Sequence, residues 1–166
     1  TPQGIVAVIQ KEEVGLPDFR QGKFLFLEDV QDPGNVGTMI RTADAAGFTG
    51  VIVSDKSADI YSLKTLRSMQ GSHFHLPIYR MSVSTFVEEA KKSNLLILAT
   101  TLSRDSEDYR DLSPLEDFVL VMGNEGQGIS SVMAESADQL VHIGMKGRAE
   151  SLNVAVAAGI LMFYFS

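Results

Sequence analysis

Residues 24–53, FLFLEDVQDPGNVGTMIRTADAAGFTGVIV, decide how the rest of the chain is read. An apolar run over 24–27 gives way to Glu28-Asp29 and then to the breaker cluster Asp32-Pro33-Gly34-Asn35. Val36, Met39, Ile40, Ala43 and Ala46 recur at helical spacing, Gly47 falls where a helix ends, and Val51-Ile52-Val53 is a second apolar run. The order is strand, turn, helix, strand: a βαβ unit with a polar turn at the carboxyl end of its first strand. Ligands bind at that edge in open α/β sheets. Any chemistry is therefore expected to pass through Asp32, Asn35 and Arg41.

Upstream, residues 4–9 (GIVAVI) read as a short buried strand and 11–21 as a polar loop. Downstream, a short helix bearing Lys64 and Arg67 is expected over 63–69, and a strand over 73–79, where Pro77 marks an edge or an end. Residues 84–93 read as an amphipathic helix with Ser84 as N-cap and Lys91-Lys92 in its last turn. Residues 95–99, 118–122 and 139–143 read as buried strands, 130–135 as a short helix, and 103–117 as a charged, solvated loop. Strands alternating with helices make an α/β protein with a mainly parallel sheet. Three polar, glycine-bearing segments (32–41, 123–128 and 144–153) follow apolar strands and would share one sheet edge as a composite site.

With 166 residues, one domain with a proper core is expected. The chain has no cysteine, which excludes disulfides, thiolate metal sites and cysteine nucleophiles and fits a reducing, cytoplasmic setting. A net charge of −7 offers no overall basic surface for nucleic acid, so such binding would need a local cluster or another domain. The opening TPQGIVAVIQKEE lacks the regions of a signal peptide. Residues 1–22 read as the tail of a preceding region or a linker, and 23–166 as the domain proper. Residues 151–166 carry no charge and are apolar nearly all round, apart from Asn153. That is short of the ~20 residues a membrane span needs. A helix apolar on every face should be buried on every face, one side on the sheet and the other on a second subunit. A homodimer is the expectation.

Each candidate residue has a plain reading beside the functional one. Asn35 fits a helix N-cap, Arg41 a solvated helix position, and Glu125 a turn between Gly123 and Gly126. The glycines over 123–128 read GxxGxG rather than the dinucleotide fingerprint, and no P-loop is present. His73 and His75 have an HxH spacing but no third metal ligand nearby. Ser72, Ser130 and Ser151 lack a nucleophile elbow.

Three ordered segments together resemble the SpoU (TrmH-type) RNA ribose 2′-O-methyltransferases of the SPOUT superfamily. They are DPGNVGTMIRTADAAG (32–47), LVMGNEGQGIS (120–130) and IGMKGRAESLNVAVAAGIL (143–161), with MQGSHFHLP (69–77) also similar. The chain departs from many members at Gly144, where they carry proline. The resemblance implies a parallel sheet whose C-terminal part forms a deep trefoil knot, with S-adenosylmethionine bent inside it. It implies methyl transfer to a ribose 2′-hydroxyl of RNA, ribosomal before transfer RNA. Asn35 and Arg41 would belong to the catalytic centre, with Glu125, Ser151 and Asn153 close by. Thr100, Gly123, Ile143, Met145 and Leu152 would hold the cofactor, with no metal.

The implied chemistry suits these residue types. The enzyme must align a weakly acidic hydroxyl with an activated methyl and help remove its proton. The resemblance implies Arg41 as the proposed base, but guanidinium stays protonated in proteins, so Arg41 is expected instead to position a ribose phosphate and stabilise developing alkoxide, with Glu125 an alternative or indirect proton acceptor. Asn35 would orient Arg41 or the ribose. Lys64, Arg67, Arg41 and Arg148 are expected to form the local basic patch that the acidic total otherwise denies. A non-catalytic RNA-binding or assembly factor on the same fold is the alternative. A doubly wound nucleotide-binding oxidoreductase or kinase would need the fingerprints that are missing.

Overall fold

The computed structural model describes residues 4, 8, 10 and 14–166. The strand expected over 4–9 falls mostly outside that set. The described chain runs β1 (Lys23–Leu27), α1 (Pro33–Ala45), β2 (Gly50–Val53), α2 (Leu63–Met69), β3 (Ile78–Arg80), α3 (Val83–Lys92) and β4 (Leu96–Thr100). It continues through β5 (Glu107–Asp108), β6 (Phe118–Met122), α4 (Ser131–Ser136), β7 (Gln139–His142) and α5 (Val154–Phe165). The strands form one sheet in the order β3-β2-β1-β6-β4-β7-β5, and every pairing is parallel.

That order sets the site. The first three strands step outward, and the chain then crosses to the far side of β1. There β4 leaves a gap that β6 fills, and β5 leaves one that β7 fills. The turn after β1 and the loop after β6 are thereby neighbours, although about 90 residues separate them in sequence.

Alternation along the strands builds a core on each face. Leu25 and Leu27 of β1 join Leu120 and Met122 of β6 beneath α1, α2 and α5, while Phe24 and Phe26 join Val119 and Val121 with Phe86 of α3 and Met133. Phe26 stacks on Phe86 at 4.2 Å between ring centroids. Central strands buried on both faces explain the continuous apolar runs over 24–27 and 118–122.

Helices α1 and α2 approach so closely that Gly37 has no space for a side chain. A Cβ there would lie 2.6 Å from both Ser68 Cβ and the Thr65 carbonyl, and 3.0 Å from Met69 N. Gly37→Ala is therefore expected to destabilise the fold by about 2 kcal/mol, overpacking outweighing the ~1 kcal/mol that alanine gains as a helix former. Denaturant unfolding would read this, and equal or higher stability would show that the two helices separate at no cost.

Four local expectations are corrected. Asp32, not Asn35, is the N-cap of α1: Pro33 occupies the first helical position and Asp32 Oδ1 accepts the Asn35 N–H at 2.9 Å. Ser82, not Ser84, caps α3 by accepting the Thr85 N–H at 3.1 Å. The strand expected over 73–79 shrinks to β3, because Gln70 and Gly71 take left-handed backbone (φ 49° and 92°) and Ser72–Phe74 coil into a 3-10 turn. The loop expected over 103–117 contains β5 and a further 3-10 turn, Tyr109–Asp111. Its Glu107-Asp108 dipeptide has no apolar alternation to reveal it and is recruited by pairing with β7.

In α5, Ala155, Ala158, Leu161, Met162 and Phe165 are buried, on the side that packs against α1 and β6. Val156 and Phe163 on its other side are 53% and 58% exposed.

Candidate active site

The carboxyl ends of β1, β4, β6 and β7 converge on one region. Between the loops after β4, β6 and β7 lies a cleft of about 570 Å³, with Val154, Ala157 and Leu161 of α5 contributing apolar lining. Thr100, Gly123, Ile143, Met145 and Leu152 all line it, as do Glu125 and Ser151. Thr100 Oγ donates to the Val121 carbonyl at 2.9 Å, tying β4 to β6 at the cleft wall.

The loop after β6 is a compact turn built around a residue that sequence reasoning passed over. Asn124 and Gly128 exchange backbone hydrogen bonds, both 2.9 Å. Asn124 Oδ1 accepts the N–H groups of Gly126 and Gln127, and its Nδ2 donates to the Asp29 carbonyl at 2.8 Å. The available signal was an Asn opening a glycine-flanked turn, where its side chain serves as a backbone surrogate. Gly123 lies against this turn, where a Cβ would overlap the backbone of Gly128 and Ile129.

Beside the cleft a polar relay joins three segments distant in sequence. Asn153 caps α5, its Oδ1 accepting the N–H groups of Ala155 and Val156. That fixes its amide orientation, so Nδ2 donates to Asn35 Oδ1 at 3.1 Å. Asn35 must then present its own Nδ2 to Glu125 Oε1, also at 3.1 Å. The Glu125 carboxylate further accepts the N–H groups of Gln31 (3.2 Å) and Asp32 (3.1 Å) at the N-terminus of α1. Helix caps and turn chemistry thus orient every amide in the relay.

Glu125 is held below its ordinary value of 4.5. Partial burial pushes it upward, but the Asn35 amide and the backbone N–H groups together outweigh that effect. A depressed carboxyl contributes stability that is fully present above the ordinary glutamate value and is lost as pH falls through the lower folded value. The stability advantage of the wild type over Glu125→Gln is thus expected to stay constant from neutral pH down to the ordinary value. Below it, the advantage should shrink. Thermal denaturation of both proteins along the acid limb tests this, and an advantage that faded near neutral pH would contradict it.

Arg41 stands apart from the relay. It lies on the exposed face of α1, six residues beyond Asn35, does not line the cleft, and its side chain makes no hydrogen bond or ion pair among the described residues. Lys64 is committed to Asp32, 2.6 Å away, while Arg67 and Arg148 are exposed. His75 meets Asp44 at 3.1 Å and the His73 ring packs on Phe74, so the HxH pair sits in a turn with separate partners. At Gly144, a Cβ would stand 2.5 Å from Asp108 Oδ2: the β5 carboxylate occupies the space a side chain there would need.

Solved structures share this architecture. An rRNA methyltransferase from Sinorhizobium meliloti, described as AdoMet-bound, superposes with a TM-score of 0.81 at 42% identity, covering 85% of this chain and 54% of that one. The SpoU methyltransferase AviRb from Streptomyces viridochromogenes, in complex with AdoMet, gives 0.75 at 32% identity over 89% and 57% of the two chains. The fold is that of the SPOUT methyltransferase class. The chain belongs to the SpoU rRNA Methylase family, which matches residues 22–163. It is also 45% identical over 164 residues to a Bacillus subtilis protein named as a 23S rRNA guanosine 2′-O-methyltransferase, RlmP, covering 99% of this chain and 65% of that protein. The chain thus spans roughly half to two thirds of the length of these relatives.

Proposed function

We propose that this chain transfers a methyl group from S-adenosylmethionine to a ribose 2′-hydroxyl of RNA, with ribosomal RNA as substrate. The observation that carries the reading is the Glu125–Asn35–Asn153 relay beside a cleft lined by glycine backbone and α5. The cleft fits such a cofactor: Leu152, Ile143 and Met145 offer apolar contact, and the loops after β4, β6 and β7 bring backbone polar groups. S-adenosylmethionine supplies, when bound, a methyl already activated by its sulfonium.

This chain's residues then have to align the hydroxyl and manage its proton. Glu125 is an ionised carboxylate committed to three donors, which makes it a weak base and a strong organiser of Asn35. Asn35, locked at both ends of its amide, positions the ribose. The Arg41 side chain has no hydrogen bond or ion pair among the described residues, which leaves it to pair with a backbone phosphate and to stabilise developing alkoxide charge. Ser151 lies at the cleft wall within the same group.

Residues 23–166 form the catalytic domain in this reading. The threading of β6 and β7 into gaps left by earlier strands, with α5 returning onto α1, supports a trefoil knot around the cleft. The exposed Val156 and Phe163, on the side of α5 away from α1 and β6, support a homodimer through α5, since an apolar face of this kind favours a second copy over water. Arg41, Arg67 and Arg148, with Lys64 partly neutralised by Asp32, supply local positive charge for RNA. No described helix is long and apolar enough to cross a membrane, and a cytoplasmic location accords with an RNA substrate.

The test is incubation with methyl-labelled S-adenosylmethionine and rRNA lacking ribose methylation, followed by nucleoside analysis. Label in a 2′-O-methylribose supports the proposal. Label on a base would contradict it, and RNA binding without transfer would favour the assembly-factor alternative.

A further inference from the structure

Among the described residues, Glu28 is the one buried ionisable side chain, 2% exposed at the carboxyl end of β1. Its backbone N–H donates to the Met122 carbonyl at 2.9 Å, extending the β1–β6 ladder by one residue. Its side chain reaches the far end of the loop that follows β6, where Oε2 accepts the Ser130 N–H at 3.2 Å. It does not line the cleft.

The segment over 123–130 is fastened to the segment over 28–35 at three places. Asn124 holds the Asp29 carbonyl, Glu125 holds the N–H groups of Gln31 and Asp32, and Glu28 holds Ser130. The first two fastenings sit at the start of the loop. Of these three, only the third lies beyond the Asn124–Gly128 pair, at the end where Ile129 leaves the cleft wall for α4. Stability alone would not choose a carboxylate for this place, because burial penalises its charge and an apolar residue of similar size would cost less. Burial does push the Glu28 carboxyl above its ordinary range, with Asp29 adding to the effect and Ser130 opposing it. What the side chain provides is a directional acceptor.

We propose that Glu28 is a positioning residue for the cofactor cleft, fixing the Ser130 end of the wall that S-adenosylmethionine packs against. This rests on the cleft being the cofactor site. Glutamine at 28 keeps an acceptor oxygen at the same reach without the charge. Aspartate keeps the charge but withdraws the oxygen by about 1.5 Å, one carbon–carbon step.

Calorimetric titration of the wild type, Glu28→Gln and Glu28→Asp with S-adenosylmethionine, paired with amide hydrogen exchange, tests the proposal. Glu28→Gln is expected to bind within about twofold of the wild type. Glu28→Asp is expected to bind about tenfold more weakly, the scale of one lost hydrogen bond. Its amides over 123–130 should exchange faster, while those of β1 and β6 keep their protection. Unchanged binding and exchange in Glu28→Asp would overturn the proposal, as would equal weakening by Gln and Asp. Faster exchange spread evenly over β1 and β6 would show a merely structural role. Failure of the wild type to bind would overturn the cofactor reading instead, and the exchange measurement would still decide whether Glu28 holds the loop.

Discussion

Gly123→Ala is expected to weaken S-adenosylmethionine binding by about 100-fold or more while leaving the protein folded. The added methyl would overlap the carbonyl carbon and oxygen of Gly128 and the nitrogen of Ile129, all closer than the 3.0 Å that real Cβ atoms respect. These are backbone atoms, so no side chain can swing aside. The turn must open, and with it the paired Asn124–Gly128 hydrogen bonds that shape the cleft wall. Strain of this kind costs about 1–3 kcal/mol, and displacement of the neighbouring wall adds to the loss seen by a ligand. The sheet is spared because Gly123 follows the last residue of β6. Gly147→Ala is the control: its Cβ would meet nothing within 4 Å and Gly147 does not line the cleft, so binding should change little. Calorimetry on both variants decides the matter, and near-normal binding by Gly123→Ala would mean that this wall does not contact the cofactor.

Arg41→Ala is expected to lower the rate of methyl transfer by about 10²–10³-fold, the usual effect of removing one donor to developing negative charge. Cofactor affinity should be unchanged, because Arg41 is absent from the cleft lining. Arg41→Lys should recover only part of the loss, since an ammonium offers a point charge in place of a planar fork. Single-turnover rates with saturating cofactor separate these effects. Near-normal turnover by Arg41→Lys would remove any two-pronged contact from the account, and weakened cofactor binding in either variant would move Arg41 into the cleft.

The first βαβ unit was legible because its strand, breaker cluster and helical spacing agree, and the structure follows it within a residue or two. The cap of α1 was misplaced although the Asp32-Pro33 pair carries the better signal, an acceptor followed by a residue with no N–H to satisfy. The cap of α3 was placed two residues late, because Ser84 is a serine at the start of the amphipathic pattern while the hydroxyl that meets the Thr85 N–H is that of Ser82. Pairing decided what local pattern could not: β5 is two charged residues that become strand only beside β7, and nothing near residues 118–122 says that they lie between β1 and β4. The same non-local order brings Glu125 to Asn35 across 90 residues of sequence. Motif resemblance grouped these residues, but the amide relay that connects them and the organising part of Asn124 needed coordinates. Glu28 read from sequence as merely the polar end of a strand. The partner its side chain takes, the Ser130 N–H, lies 102 residues further along the chain.

The most direct test of the account is calorimetric titration of the purified chain with S-adenosylmethionine and, separately, with NAD and ATP. Saturable binding of S-adenosylmethionine at one per chain, weakened about 100-fold or more in Gly123→Ala and without binding of the other two, is the predicted result. Binding of NAD or ATP in its place, or no binding of S-adenosylmethionine at all, would contradict the reading of the cleft.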